Sequence, residues 1–181
     1  MRKVLVILGQ LRDTDAEWMA RSGIKRTIED GVAVISEGVK GAHLYILLQG
    51  SLNIVDSKLG TLATLGSGEI VGEMSFVDNA PPSASVIANG DCVVLELSHA
   101  ELENRMETDP GFGLRLYKAL CFFLADRLRG TVSRFGYGET GSLESDDVLE
   151  DELDENLLDV VSLAGDRFDR MLKLLASAKV E

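Results

Sequence analysis

The residues able to do chemistry crowd into one stretch, Gly68 to Ala88, GEIVGEMSFVDNAPPSASVIA. Its first part, Glu69 to Gly72, and its last, Ser83 to Ala88, are short and rich in Ile, Val and small residues, bounded by turn residues as strands are. Between them, Glu73-Met74-Ser75-Phe76-Val77 has room for little more than one helical turn. The first amides of such a turn lack intrahelical partners, so Gly72 followed by Glu73 can present N–H groups to a small anion, with a carboxylate beside them. The alternative is a tight connection in a β-domain. His43 and His99 are the two histidines, without the spacing of clustered metal ligands, so neither a catalytic nor a metal-binding residue is assigned.

The whole chain narrows the classes of function. Its 181 residues suffice for one domain with an appendage. The formal net charge is -12, and nine of the 30 acidic residues fall between Glu139 and Glu155, where there is no base. The remainder, with 21 acids against 18 bases, is close to neutral. Such a chain lacks the positive surface that a phosphate backbone requires, so no nucleic-acid partner is expected. No apolar run is long enough to span a bilayer, so no membrane partner is expected either. The opening MRKVLVILGQL is too short for a signal peptide and runs into acidic DTDAE. Cys92 and Cys121 sit in apolar surroundings and read as buried free thiols of a cytoplasmic protein.

The elements that must position the Gly68 to Ala88 stretch are mostly strands. Asp13-Thr14-Asp15 supplies capping oxygens for a short helix from Asp15 to Arg21, with Trp18 and Met19 turned to the domain. From Ile24 the period becomes that of strands: Val32 to Ile35, Leu44 to Leu48, Leu52 to Val55, Leu62 to Leu65, Val86 to Ala88 and Cys92 to Leu97. Turn signals at Asp30-Gly31, Gln49-Gly50, Gly66-Ser67-Gly68 and Asn89-Gly90-Asp91 punctuate them. Short strands at near-regular spacing predict a sandwich, barrel or jelly roll rather than βαβ units.

Several motifs in this region, taken in order, resemble the cyclic-nucleotide-binding domain, the sensory domain of the catabolite activator protein family. Gly31, Val34-Ile35 and Gly38 follow that family's spaced glycines and apolar pair. Tyr45-Ile46-Leu47-Leu48-Gln49-Gly50 follows its aromatic-aliphatic run, and Gly72-Glu73-Met74-Ser75-Phe76 with Ser83-Ala84-Ser85-Val86 follows its phosphate-binding cassette. Pro82 stands where the family carries an arginine. The similarity runs from about Leu8 to Ser98 and, in helix pattern alone, to about Phe135. It implies an α+β, mainly β fold: an antiparallel β jelly roll (double-stranded β-helix) with flanking helices, a long C-helix and a C-terminal amphipathic helix. The expected organisation is an N-terminal helical segment 1–23, the jelly roll 24–98 with the cassette at 68–88, two helices in 99–137, an acidic linker 138–155 and an amphipathic helix 156–181.

After Ser98 the period is helical. Ser98 is placed to cap a helix through Met106, with Glu101 completing a capping box. Asp109-Pro110-Gly111 breaks the chain before a longer helix, Phe112 to Phe135. Leu114, Tyr117, Cys121, Leu124, Leu128, Val132 and Phe135 form one stripe on it; Phe112, Leu116, Leu120 and Phe123 form another. One β-domain buries one face, so the second calls for a partner, and the resemblance implies a homodimer through 112–135 with Tyr117, Cys121, Leu124 and Leu128 at its centre. Leu157, Val161, Ala164, Phe168, Met171, Leu175 and Ala178 give the last helix a coiled-coil-like seam, for folding back or for docking a protein partner.

By the resemblance, Glu73 accepts a hydrogen bond from a ribose hydroxyl, and Gly72, Met74, Ser83 and Ala84, with Pro82, line the site of the cyclic phosphate. Pro82 brings neither charge nor N–H donor, and loss of a charge-assisted pair worth about 3 kcal/mol is roughly a hundredfold in affinity. Lys40, Lys58 and Arg127 are the cations considered as replacements. The expected function is therefore a non-enzymatic regulatory module in bacterial signalling that acts through protein contacts, with altered or weakened cyclic-nucleotide binding and no cofactor. The alternative is a ligand-independent interaction scaffold. A winged helix-turn-helix after the long helix is not expected, since the acidic segment and one helix offer neither its length nor its charge.

Overall fold

The computed structural model describes residues 7–136 and 155–177. A helical turn at residues 7–10 leads into α1 (Asp13–Ser22), which begins two residues earlier than its capping pattern suggests. The Asp15 carboxylate is the capping oxygen that is used, accepting the Arg12 N–H at 2.9 Å. Met19 is buried and Trp18 meets Phe112 edge-on at 5.4 Å, so both turn inward as expected.

The sheet comprises β1 (Ile24–Ile28), β2 (Ala33–Ile35), β3 (His43–Asp56), β4 (Gly60–Gly66), β5 (Ile70–Val71) and β6 (Ser85–Ser98). All pairings are antiparallel, in the order β1-β6-β3-β4, with β2 also on β6 and β5 also on β3. This is the mainly β roll with flanking helices that the motifs imply. Two turn signals are corrected. Gln49-Gly50 and Asn89-Gly90-Asp91 do not end strands; β3 and β6 each run 14 residues through them. The register between the two strands shifts at Leu47/Gln49 and again at Gln49/Ser51, so the glycine marks a bulged bend rather than a reversal. Gly50 has φ +90°, and a Cβ there would lie 2.7 Å from the Cβ of Cys92.

Alternation along β3 divides the core. Leu44, Ile46 and Leu48 face the helices with Leu95 and Leu97 of β6. Leu47 and Leu52 point into the roll with Val86, Cys92 and Val94. A side chain two positions on returns to the same face, so one strand serves two cores.

After β6 come α3 (His99–Thr108), α4 (Pro110–Gly136) and α5 (Glu155–Ser177). The Ser98 hydroxyl makes no cap bond, contrary to the capping-box pattern. Pro110 instead opens α4, with the Asp109 carboxylate accepting the Phe112 N–H at 3.0 Å, because proline suits the first helical turn where its missing N–H has no partner to lose. On α4, Phe112, Leu116, Leu120 and Phe123 are buried, whereas Leu114 is 74% and Leu128 is 64% exposed. Cys92 is a buried free thiol, and burial pushes its pKa up; Cys121, by contrast, is exposed on α4 and not buried as its apolar neighbours suggest.

Helix α5 folds back on its own domain. Ala164, Phe168, Met171 and Leu175 are buried in the helical core beside Ile7, Leu8 and Met19. Arg167 pairs with Asp13 at 2.6 Å and donates to the Leu8 carbonyl at 2.8 Å, closing the open end of the helical turn before α1. The acidic segment 138–154, Ala178 and the side chains at Val132, Phe135, Leu157 and Val161 lie outside the described residues.

Candidate functional site

The cassette begins where β5 stops. Gly72 sits at φ +87°, and a Cβ there would lie 2.6 Å from the His43 carbonyl oxygen of β3, so only glycine lets the chain turn this tightly against the neighbouring strand. The turn launches α2 (Glu73–Asp78), which ends at Asn79 with φ 59°. Phe76 anchors it, lying 5.1 Å from the ring of His99 and stacked on Tyr117 at 6.0 Å. Burial lowers the pKa of His99, so a neutral imidazole packs against that ring. On the far side, the Gly38 N–H donates to the Pro82 carbonyl at 2.8 Å, and the Glu37 N–H donates to the Ser85 hydroxyl at 3.0 Å. The proline pair is thereby tied to the loop after β2.

Under the cassette lies a cavity of about 930 Å³. Ile35, Ile54, Leu65, Val71 and Val86 supply apolar wall. Gly72, Glu73, Met74, Pro82, Ser83 and Ala84, the six residues singled out in the sequence, all line it, as do Asp78, Asp126, Arg127 and Arg129. Lys40 lines a smaller neighbouring cavity of about 170 Å³ with His43 and Tyr45, and Lys58 lines neither.

Glu73 is 2% exposed, which a carboxylate tolerates only when paired. Its partner comes from α4: Arg127 Nη1 lies 2.5 Å from Glu73 Oε1. The same guanidinium donates to the Ile70 carbonyl at 3.2 Å, approaches Glu69 at 4.0 Å and lies over the Phe123 ring at 4.5 Å. Of the three cations considered from the sequence, Arg127 is thus the one in the cavity wall, and it is already engaged by the cassette carboxylate. Pro82 lines both cavities, sharing the smaller with Lys40 and the larger with Arg127 and Arg129.

The four residues assigned to a dimer helix do not share one environment. Tyr117 is 42% exposed, Cys121 is exposed and Leu128 is exposed, forming an open face with Leu114. Leu124 is only partly buried and packs on the helical core. Among the described residues, no cluster of His, Cys, Asp or Glu is arranged to hold a metal ion, and no helix is long and apolar enough to cross a membrane.

Residues 25–109 match the family model of the cyclic nucleotide-binding domain. Rap guanine nucleotide exchange factor 3 of Homo sapiens is 36% identical over 61 residues, 34% of this chain and 7% of that protein. The cyclic AMP receptor protein of Thermus thermophilus is 36% identical over 77 residues, 40% of this chain and 36% of that protein. The matches therefore span well under two thirds of either relative's length. Among solved structures, a cyclic nucleotide-binding domain from Methylobacillus flagellatus superposes with a TM-score of 0.68 at 24% identity, over 79% of this chain and 86% of that one. The Thermus thermophilus catabolite activator protein does so with a TM-score of 0.59 at 22% identity, over 94% and 86%. The resemblance carried by the sequence motifs holds: the fold is that of the cyclic nucleotide-binding domain, and residues 25–109 are similar in sequence to that family's model.

Proposed function

We propose that the chain is a non-enzymatic regulatory module of the cyclic-nucleotide-binding type, which takes a nucleotide-like ligand in the cassette cavity in an altered or weakened manner and acts through protein contacts. The observation that carries this reading is the Glu73–Arg127 pair in the wall of the cavity that Pro82 also lines. A ligand hydroxyl that reaches Glu73 must share the carboxylate with Arg127 or displace it. Arg127 belongs to α4, so occupancy of the cavity bears directly on the position of the long helix. The open face of α4 then provides the output, a homodimer through this helix together with a protein partner, in a cytoplasmic setting. The same open face favours the second reading, a scaffold that needs no ligand.

Calorimetry with cAMP, cGMP and cyclic dinucleotides, on the wild type and on Pro82→Arg, separates the two. Restoring a charge-assisted pair worth roughly 1.5–3 kcal/mol is expected to tighten cyclic-nucleotide binding by about ten- to a hundredfold. No gain in Pro82→Arg, together with silence of the wild type towards every ligand tried, would leave only the scaffold.

A further inference from the structure

We propose that the smaller cavity, of about 170 Å³, is a subsite for a phosphate group, in which Lys40 supplies the cation that Pro82 does not. This rests on the preceding reading as far as the phosphate belongs to a nucleotide seated in the larger cavity; free phosphate offers the same chemistry from a second source. The two cavities abut, since Ile35, Gly72, Ser75 and Pro82 line both. The smaller volume lies below the roughly 300–1,000 Å³ of sites that take a whole small molecule, and suits one charged group reaching over from the larger cavity.

The wall of the smaller cavity is rich in donors. Ser75 is 8% exposed and its hydroxyl makes no hydrogen bond among the described residues, so a buried O–H stands at the boundary of both cavities with no acceptor of its own. Burial, followed by the Glu96 charge, pushes the Tyr45 pKa up, so its phenol stays an O–H donor as well. Lys40 is exposed, and among the described residues it enters no ion pair. No carboxylate belongs to a described residue lining this cavity, whereas Glu73, Asp78 and Asp126 line the larger one beside Arg127 and Arg129. Glu96, which faces His43 at 3.7 Å, is answered by Arg26 at 3.1 Å. The loop that carries Lys40 is fastened to the cassette by the Gly38 N–H on the Pro82 carbonyl and the Glu37 N–H on the Ser85 hydroxyl. The Glu37 carboxylate ties it further, accepting from the Ser57 N–H and hydroxyl at 2.9 Å each. A loop held in this way keeps the root of the Lys40 side chain beside the cassette, and its ammonium meets a phosphate as a point charge without giving up an ion pair elsewhere.

The test is calorimetry on the full chain with adenosine and guanosine, their 3′,5′-cyclic monophosphates and inorganic phosphate. It compares the wild type with Lys40→Ala, Lys40→Arg and Ser75→Ala, and with Lys58→Ala and Arg129→Ala as controls. A cyclic monophosphate is expected to bind about tenfold or more tighter than its nucleoside, in a salt-dependent way, and Lys40→Ala is expected to erase that difference while leaving nucleoside binding unchanged. Lys40→Arg should keep most of it, Ser75→Ala should cost about two- to tenfold, and Lys58→Ala nothing. Inorganic phosphate that competes with the cyclic monophosphate but not with the nucleoside identifies the ligand's own phosphate as the occupant. Phosphate that binds beside the cyclic monophosphate without competing, and is lost in Lys40→Ala, identifies free phosphate instead. A nucleoside that binds as tightly as its cyclic monophosphate, a difference that survives Lys40→Ala, or one that disappears in Arg129→Ala instead, overturns the subsite and leaves the ligand-site reading standing. If the wild type binds no nucleoside or cyclic nucleotide, that reading falls by itself and inorganic phosphate decides the subsite: binding that Lys40→Ala removes upholds it, and any other result overturns it.

Discussion

Asp15 and Arg115, 100 positions apart in the chain, meet in a two-pronged ion pair, Nε to Oδ2 at 2.7 Å and Nη2 to Oδ1 at 3.0 Å. Asp15 is fully buried and also accepts the Arg12 N–H, so one carboxylate caps α1 and ties it to the start of α4. The long helix that carries Arg127 to the cavity is thereby held at its other end by the N-terminal helix.

Arg115→Ala is expected to destabilise the fold by about 3–5 kcal/mol at neutral pH, since it strands a buried charge. Burial raises the Asp15 pKa, but the hydrogen bonds from Arg115 and Arg12, with the charges behind them, outweigh it and leave the folded value below the ordinary 3.8. A depressed carboxylate stabilises fully above its unfolded value, and that contribution fades as pH falls through it towards the folded value. The difference in urea stability between wild type and Arg115→Ala should therefore be full above about pH 5 and shrink below about pH 4. A gap that stays constant down to strong acid would show that the pair is not its source.

Gly50→Ala tests the bend in β3. At φ +90°, with Cys92 and the Asp91 carbonyl in the way, the added methyl meets backbone strain and overlap together, for a loss of about 2–4 kcal/mol in thermal or urea unfolding. Gly31→Ala is the control: its φ is +76° but nothing lies within 4 Å of the new Cβ, so strain alone should cost about 1–2 kcal/mol. Equal losses at the two sites would mean that the Cys92 approach is not a constraint.

Leu128 addresses the open face of α4 without touching the core. Sedimentation is expected to find a wild-type dimer, and Leu128→Glu is expected to weaken it by about a hundredfold or more, because a charge replaces an apolar contact at a desolvated interface. Leu124 is the poorer choice, since it also packs on the helical core and its loss would confound folding with association. A wild type that sediments as a monomer at high concentration ends the dimer reading.

The roll and the cassette were legible in the sequence because strand period and spaced glycines report local backbone geometry. Gly72 is such a case: its place before Glu73 marks the turn without any knowledge of His43. Gly50 is the contrary case. A glycine at positive φ signals a bend equally well whether the strand reverses or bulges, and only its neighbour across the sheet, Cys92, decides between them. Arg127 could have been singled out with more force than spacing in the cassette allowed. Leu116, Leu120, Phe123 and Arg127 follow steps of four, three and four, so the arginine continues the buried stripe, where a guanidinium requires an acidic partner. Asp15–Arg115 was beyond reach, because nothing local in either segment announces a partner so distant along the chain.

The return of α5 onto α1 also sets an order of events in folding. Arg167 and Asp13 are 154 positions apart, whereas β3 and β6 pair across far shorter separations. Closing a loop costs chain entropy that grows with its length, and such a contact is rewarded only once the surface it lands on exists. Helix α5 is therefore expected to dock after the β roll has formed, covering the flank of α1 as it does so.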